Sequence, residues 1–187
     1  MTQEKHRSER IARIKLGDLV EVPPDFFIGY APANLALSHL SMVTPEIADV
    51  LVVPLGEINP KDGHPGGNFQ YNRNSKLIRL PEFNEHDREQ IGKLGGLRKL
   101  VAGFLKIKPD SVTDEMFVVF TIAHEIGHAI DASSKTFEEW QEIGLKEEGI
   151  MTRYKWLPLK KRIAGYRQLP REKYADDFAL ARLNKLL

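Results

Sequence analysis

Two histidines and a glutamate stand close together in residues 116–132, which read MFVVFTIAHEIGHAIDA. His124 and His128 are four positions apart, and Glu125 directly follows the first histidine. On an α-helix, four residues turn about 40° past a full circle and rise about 6 Å, so both imidazoles can converge on one ion. Glu125 is rotated about 100° from His124, so its carboxylate is better placed to contact a water on that ion than to bind the ion itself. The His-Glu-x-x-His spacing therefore predicts two zinc ligands and a general base.

The residues that flank this motif are apolar and favour a buried helix. The alternative is a pair of partly exposed histidines beside a solvated glutamate, which fits poorly with the apolar side chains Phe117, Val118, Phe120, Ile122 and Ile130. Gly127 costs a helix interior about 1 kcal/mol relative to alanine, so we expect another element to pack closely there. The pattern predicts a helix from about Thr113 to Ala132, with Ser111 or Thr113 as its N-cap.

A catalytic zinc ion usually has three protein ligands and one open position, so a third side chain is needed. Asp131 is near the motif, one turn beyond His128 on the far side from His124. On a straight helix it is about 10 Å from His124 along the axis, which is too far to share the ion comfortably. We interpret Asp131 as a residue that orients a ligand or ends the helix.

A second pair of carboxylates lies in the segment LPREKYADDFALARL, where Glu172 and Asp176 are four positions apart. Their helical stripe continues into Ala179 and Leu183, so both carboxylates are expected to point towards the core. An alternative is that Glu172 only interacts favourably with the helix dipole at the start of the helix. That explains Glu172 but not why Asp176 points towards the core. Glu172 as third ligand, with Asp176 holding the outer nitrogen of a zinc histidine, explains both. Asp177 faces elsewhere and is expected to be solvated.

The composition is that of one soluble globular domain, with 187 residues of which 42% are hydrophobic and 28% charged. The 27 basic and 26 acidic residues give a net charge of +1, which points to neither nucleic acid nor an anionic membrane. The absence of cysteine excludes disulfides, thiolate zinc sites and a cysteine nucleophile. Because no signal peptide or membrane span is visible, we expect a cytoplasmic protein, with export by another route left open.

The order of elements predicts an α+β fold in which strands precede helices. Residues 1–18 are expected to form a polar, basic N-terminal arm or peripheral helix, and residues 19–187 a single domain. The first part of that domain contains a proline-rich irregular stretch at 23–32, a short helix at 33–42 and a loop at 62–67.

A buried strand at 48–56 and a β-hairpin at 68–80, with its turn near the sequence NRNS, come next. Residues 84–106 have helical spacing interrupted by glycines, which predicts one or two short helices. Thr136 and Glu139 form a predicted capping box, and the helix that they open is expected to end at Gly149.

A basic segment at 153–162, RYKWLPLKKR, is expected to be a solvated loop bordering a cleft. Its alternating aromatic and basic residues also fit a nucleic-acid patch, but the near-zero net charge and the lack of a recognised binding motif argue against that. Pro170 is expected to open the last helix, which runs to the C-terminus.

These motifs together resemble the gluzincin metallopeptidases. Within that group, HEIGHAID, FEEWQEIGLKEEG and EKYADDFA are similar to the catalytic domain of anthrax lethal factor and its relatives, the Pro-Pro endopeptidases. The resemblance covers residues 117–183. FTIAHEIGH and EKYADDFA also resemble the intracellular metallopeptidases that act on phage repressors and stress regulators.

The resemblance implies a zincin-like fold in which a small mixed sheet packs on an active-site helix and a C-terminal ligand helix. It also implies one Zn²⁺ per chain, held by His124, His128 and Glu172, with Glu125 as the general base. The family has an oxyanion-stabilising tyrosine seven residues before its third ligand. Tyr166 stands six residues before Glu172, so the match requires a one-residue deletion.

These residues together predict a zinc metalloendopeptidase that hydrolyses a peptide or protein substrate. Tyr166 is the first choice as oxyanion donor, with Tyr154 and Tyr174 as alternatives. The substrate is expected to lie antiparallel to an edge strand supplied by the hairpin at 68–80. A competing hypothesis is a zinc-stabilised regulatory or interaction domain without turnover, and another is a peptidase of the intracellular repressor-cleaving type. No nucleic-acid or membrane partner is expected.

Overall fold

The computed structural model describes residues 14–15, 47, 49–54, 70–81, 89 and 95–186. The predicted irregular stretch at 23–32, the helix at 33–42 and the loop at 62–67 lie outside these residues.

The strands form a four-stranded mixed sheet in the order β1-β2-β4-β3. The edge strand β1 is antiparallel to β2, β2 is parallel to β4, and β4 is antiparallel to β3. The strands span Ile14–Lys15, Leu51–Pro54, Gln70–Asn72 and Leu77–Leu80 in the order β1 to β4. The strand predicted at 48–56 is confirmed in shorter form. The two described residues of the predicted N-terminal arm or helix are extended and belong to the sheet.

The predicted hairpin is confirmed as β3 and β4, which are joined by a turn at 73–76. The amide of Lys76 donates to the carbonyl of Arg73 at 3.1 Å and closes this turn. Lys76 has a φ of 45°, in the left-handed region that glycine adopts at lower cost. In the described part of the sheet β3 is an edge strand, and it contacts α2.

In the continuous described segment 95–186, five α-helices and a short 3₁₀ turn at Pro109–Ser111 follow the strands. In chain order α1 to α5 they span Gly95–Leu105, Asp114–Ser133, Phe137–Tyr154, Leu159–Tyr166 and Pro170–Leu186. None of these helices is both long and apolar enough to cross a bilayer.

The predicted helix starts are confirmed. The hydroxyl of Thr113 accepts from the amide of Met116 at 3.1 Å at the start of α2. At the start of α3, Thr136 accepts from the amide of Glu139, and the Glu139 carboxylate accepts from the amide of Thr136 at 2.8 Å. Pro170 is the first residue of α5.

Two predicted boundaries are wrong. The helix that Thr136 opens does not end at Gly149 but continues to Tyr154, because a glycine costs a helix interior only about 1 kcal/mol and need not stop it. The predicted loop at 153–162 contains the end of α3 and the first half of α4. The turn between them contains Pro158, which precedes the first residue of α4.

The core forms around α2, which packs against β3 and β4 on one side and against α5 on the other. Phe117 and Phe120 are fully buried beside Ile78 of the sheet. The apolar stripe predicted on α5 is also buried, through Ala179 and Leu183. The fold is therefore α+β, with a small mixed sheet and most of the described chain in helices.

Candidate metal centre

The backbones of α2 and α5 approach each other closely at Gly127. A Cβ atom placed on Gly127 would lie 2.9 Å from the Cα of Ala175, closer than real side chains pack. This contact explains the mid-helix glycine, as the sequence predicted. It also brings the carboxylates of α5 opposite the histidines of α2.

Three nitrogen and oxygen donors meet between the two helices. The Nε2 atoms of His124 and His128 are 3.1 Å apart. Glu172 places Oε2 3.4 Å from the Nε2 of His124 and Oε1 3.4 Å from the Nε2 of His128. The structure therefore brings together the three residues that the sequence singled out, and they form a cluster that could hold a metal ion.

The separations in this cluster suit one small divalent ion. Donors at about 2.0–2.1 Å from a tetrahedral ion are separated from one another by about 3.3–3.4 Å. The Oε2 atom of Glu172 is buried and accepts no hydrogen bond from the described residues. A buried oxygen of this kind is costly unless something compensates it, and an ion between the three donors would do so.

Asp176 and Arg167 support the donors from behind. Asp176 is buried, and its Oδ1 lies 2.9 Å from the Nδ1 of His124, at the position predicted for it. The guanidinium of Arg167 donates to the same Oδ1 at 2.9 Å and lies 3.6 Å from the Oε2 of Glu172. Arg167 thus links the two carboxylates of α5. The sequence analysis missed it because it stands among other basic residues with no motif of its own.

The buried charges shift the pKa values of His124 and Glu172 strongly. Burial lowers the pKa of His124, but contacts with Asp176 and Glu172 outweigh it and raise this pKa to about 9. Burial raises the pKa of Glu172, yet the two histidines hold it well below its usual range. Without a metal, the cluster is therefore stabilised by a proton on His124, which an ion must displace.

Glu125 lies on the side of α2 that faces the sheet. Its carboxylate is buried, and Oε2 accepts from the backbone amide of Tyr71 on β3 at 2.7 Å. The amide of Tyr71 therefore points away from β4 and towards α2. This contact ties the outer edge of the sheet to the residue that follows the first histidine. The sequence analysis missed it, because a backbone donor has no side-chain signature.

Tyr166, at the end of α4, is the tyrosine that reaches the donors. Its hydroxyl donates to the Oε1 of Glu172 at 2.6 Å. Burial of this hydroxyl and the negative charge of Glu172 raise the pKa of Tyr166 well above its usual range. The side chain as a whole is still 38% exposed, so Tyr166 stands at the rim of the site. The alternatives differ: Tyr154 packs on Gly165, and Tyr174 is exposed.

The remaining acidic residues of the two segments lie away from the donors. Asp131 is buried and pairs with Lys135, which lies just beyond the end of α2, in agreement with its exclusion as a ligand. Asp177 is exposed and pairs with Lys173 at 2.5 Å, as expected for a solvated residue.

A further carboxylate fixes the start of α5. Glu147 of α3 is buried, and its Oε1 accepts from the amide of Arg171 at 3.0 Å. Its other oxygen pairs with the guanidinium of Arg171. Because Arg171 directly precedes Glu172, this contact sets the position of the third donor. The sequence contains the Glu147 segment, but nothing in it indicates which helix end this carboxylate contacts.

Comparison with known proteins adds no assignment. No protein-family model, curated protein or solved structure matches this chain.

Proposed function

We propose that the protein is a zinc-dependent metalloendopeptidase with a zincin-like fold. The observation that supports this most is the triangle of donors from His124, His128 and Glu172, with separations of 3.1, 3.4 and 3.4 Å. Two imidazoles and one carboxylate leave a fourth position open, which is typical of catalytic and not of structural zinc sites. Glu125 stands beside this triangle, on the neighbouring face of the same helix.

In the proposed reaction the ion and the side chains of the protein have different roles. When bound, zinc supplies Lewis-acid chemistry, polarising the scissile carbonyl and lowering the pKa of a water towards about 7. Glu125 takes the proton of the attacking water and passes it to the leaving amine. The Tyr166 hydroxyl, with its raised pKa, keeps its proton and would turn from the Oε1 of Glu172 to donate a hydrogen bond to the developing oxyanion. The Asp176 carboxylate holds His124 through Nδ1.

The substrate is proposed to be a peptide that pairs with the edge strand β3. A peptide added to a sheet edge gains main-chain hydrogen bonds, and its alternate side chains point towards the same face. Glu125 already contacts this strand through Tyr71. A peptide laid along β3 would therefore pass beside the general base.

The test combines metal analysis with two substitutions. Protein purified without added metal should contain about one zinc per chain, and Glu172→Ala should lose most of it. Glu125→Gln keeps an oxygen that can accept from the Tyr71 amide, so it should preserve the fold and the zinc content. Because it lacks the base, we expect cleavage of a peptide library to fall at least about 100-fold. Absence of zinc from the wild-type protein would contradict the proposal.

A zinc-stabilised domain without turnover is the second candidate, and one contact favours it. Glu125 has a structural use here, since its carboxylate anchors the edge of the sheet to α2. If that is its whole role, Glu125→Gln will leave every measurable property of the protein unchanged. Loss of cleavage with zinc and thermal stability retained would exclude this candidate.

A further inference from the structure

A cavity of about 330 Å³ opens between the β3–β4 turn and the C-terminal half of α2. This volume is at the lower end of the range for ligand pockets. Ala129 and Ala132 line its helix side, and Tyr71, Arg73 and Lys76 line its sheet side. The small alanine side chains leave the space, and the hairpin supplies its polar wall.

The cavity lies next to the proposed general base. Tyr71 both lines it and donates its amide to Glu125 at 2.7 Å. Ala129 is four residues after Glu125 on α2, so the helix wall begins about 6 Å further along the axis. A peptide that lies along β3 and replaces the Glu125 carboxylate on the Tyr71 amide would therefore place a side chain over this opening.

Arg73 gives the cavity a fixed positive charge. Its guanidinium donates to the carbonyls of Lys135 at 2.8 Å and Thr136 at 3.0 Å, at the end of α2. Carbonyl oxygens hold the guanidinium in place without neutralising it. In the described part of the chain no carboxylate pairs with Arg73. The guanidinium of Arg73 also lies over the rings of Phe137 and Trp140, which restrict its motion further.

Lys76 adds a second charge from the turn. Across the described ranges its ammonium has no hydrogen-bond or ion-pair partner, and its side chain is exposed at the rim. It also keeps a left-handed φ of 45° where glycine or asparagine would be less strained. The turn therefore holds this ammonium at the opening of the cavity.

The other charged residues that line the cavity do not neutralise the positive charge of Arg73 and Lys76. Lys135 also lines the cavity but pairs with Asp131 of α2. Asp49 is the acidic lining residue, and it lies 3.3 Å from the ammonium of Lys15. Arg73 and Lys76 are therefore the charges without a carboxylate partner among the described residues.

We infer that this cavity is a subsite for an acidic side chain of the peptide substrate, with Arg73 and Lys76 as its specificity-determining residues. The inference rests on the proposed function, since it assumes a peptide paired with β3. It deepens that function by naming the substrate class, a peptide with aspartate or glutamate at one fixed position near the scissile bond. Arg73 presents a preorganised charge, and Lys76 reaches the carboxylate from the solvent side.

The test has a cleavage arm and a binding arm. The cleavage arm uses zinc-loaded protein and peptide libraries. In these libraries each position in turn carries either an acidic residue, Asp or Glu, or the matching amide, Asn or Gln. The wild-type protein should prefer the acid at one position. Lys76→Gln should lower this acid-to-amide ratio about fivefold, the effect of losing one partly screened charge. Lys76→Glu should reverse the preference, and Lys99→Gln, at an exposed lysine of α1, should leave it unchanged.

The binding arm separates this inference from the proposed function. It uses Glu125→Gln protein and two fluorescein-labelled octapeptides, one with four Glu-Ala repeats and one with four Gln-Ala repeats. Fluorescence anisotropy measures the binding of each peptide. The Glu-Ala peptide should bind several-fold more tightly, and Lys76→Gln should remove most of the difference. Tight Glu-Ala binding without cleavage of any library would reject the peptidase and keep the acidic subsite. Cleavage with no acid preference, or equal binding of the two peptides, would overturn the subsite.

Discussion

The two sides of α2 are built in different ways. Towards α5, Gly127 allows backbone contact with Ala175, and the buried charges of His124, Glu172 and Asp176 compensate one another. Towards the sheet, alanines leave a cavity with an excess of positive charge. The first side is closely packed at Gly127, whereas the second has space and, among the described residues, positive charge without a carboxylate partner.

This difference indicates how one helix can serve two purposes. Donors that hold an ion need fixed positions, which close packing and buried hydrogen bonds supply. A binding surface needs groups whose partners are missing until a ligand arrives. The two requirements are separated here by about 100° of rotation around α2, the angle between His124 and Glu125.

The largest expected effect tests the charge compensation on the α5 side. The pKa of His124 is about 9 in the metal-free protein against 6.5 in an unfolded chain, so its protonation stabilises the fold. This contribution is fully present below pH 6.5 and is lost as pH rises through 9, by roughly 3 kcal/mol. Urea unfolding of EDTA-treated protein at pH 6.5 and 9.5 measures it. A His124→Gln variant should show no such window, and a wild-type protein equally stable at both pH values would contradict the expectation.

A smaller effect tests the close packing on the same side. Gly127→Ala places a methyl group against the backbone of α5, and we expect a loss of about 1–3 kcal/mol in the free energy of unfolding. Zinc affinity should fall with it, because α5 carries Glu172. Gly149→Ala is the matched control: nothing lies within 4 Å of its Cβ, so the helix should gain up to about 1 kcal/mol. Equal responses of the two variants in urea unfolding would remove the distinction between packed and open positions.

The smallest effect tests the sheet side. Lys76→Gly should relieve the left-handed strain and raise the free energy of unfolding by about 0.5–1 kcal/mol, after the entropy cost of glycine. Lys106, with a φ of 56°, offers a control outside the cavity, and Lys106→Gly should stabilise the fold similarly. Only Lys76→Gly should also weaken binding of the Glu-Ala octapeptide. A loss of binding in both variants would break the link between the turn and the cavity.

Much of the α5 side could be predicted from sequence, because local spacing determines it. Histidines four apart share a helix face, and an apolar stripe directs Glu172 and Asp176 inwards; the structure places all of them accordingly. The choice of glycine at 127 correctly indicated a close neighbour. These signals lie within a few residues of the positions that they describe.

The contacts that could not be predicted join distant segments. Arg167, between α4 and α5, and Glu147, on α3, both contact residues of α5. Nothing in the sequence around either residue distinguishes it from a solvated charged residue. The cavity depends on where a turn of the sheet meets the end of α2, which is a matter of tertiary packing. The end of α3 was misjudged because Gly149 is a weak helix breaker when neighbouring turns are well formed.

The amide that anchors Glu125 belongs to the backbone of Tyr71 and does not depend on the side chain at that position. Every amino acid except proline supplies the same donor. Residue 71 is therefore free to vary in size and polarity without releasing the glutamate, while each change would reshape the cavity that this residue lines. In this way the proposed side-chain selectivity of the cavity can change during evolution, or be redesigned, without disturbing the proposed reaction centre.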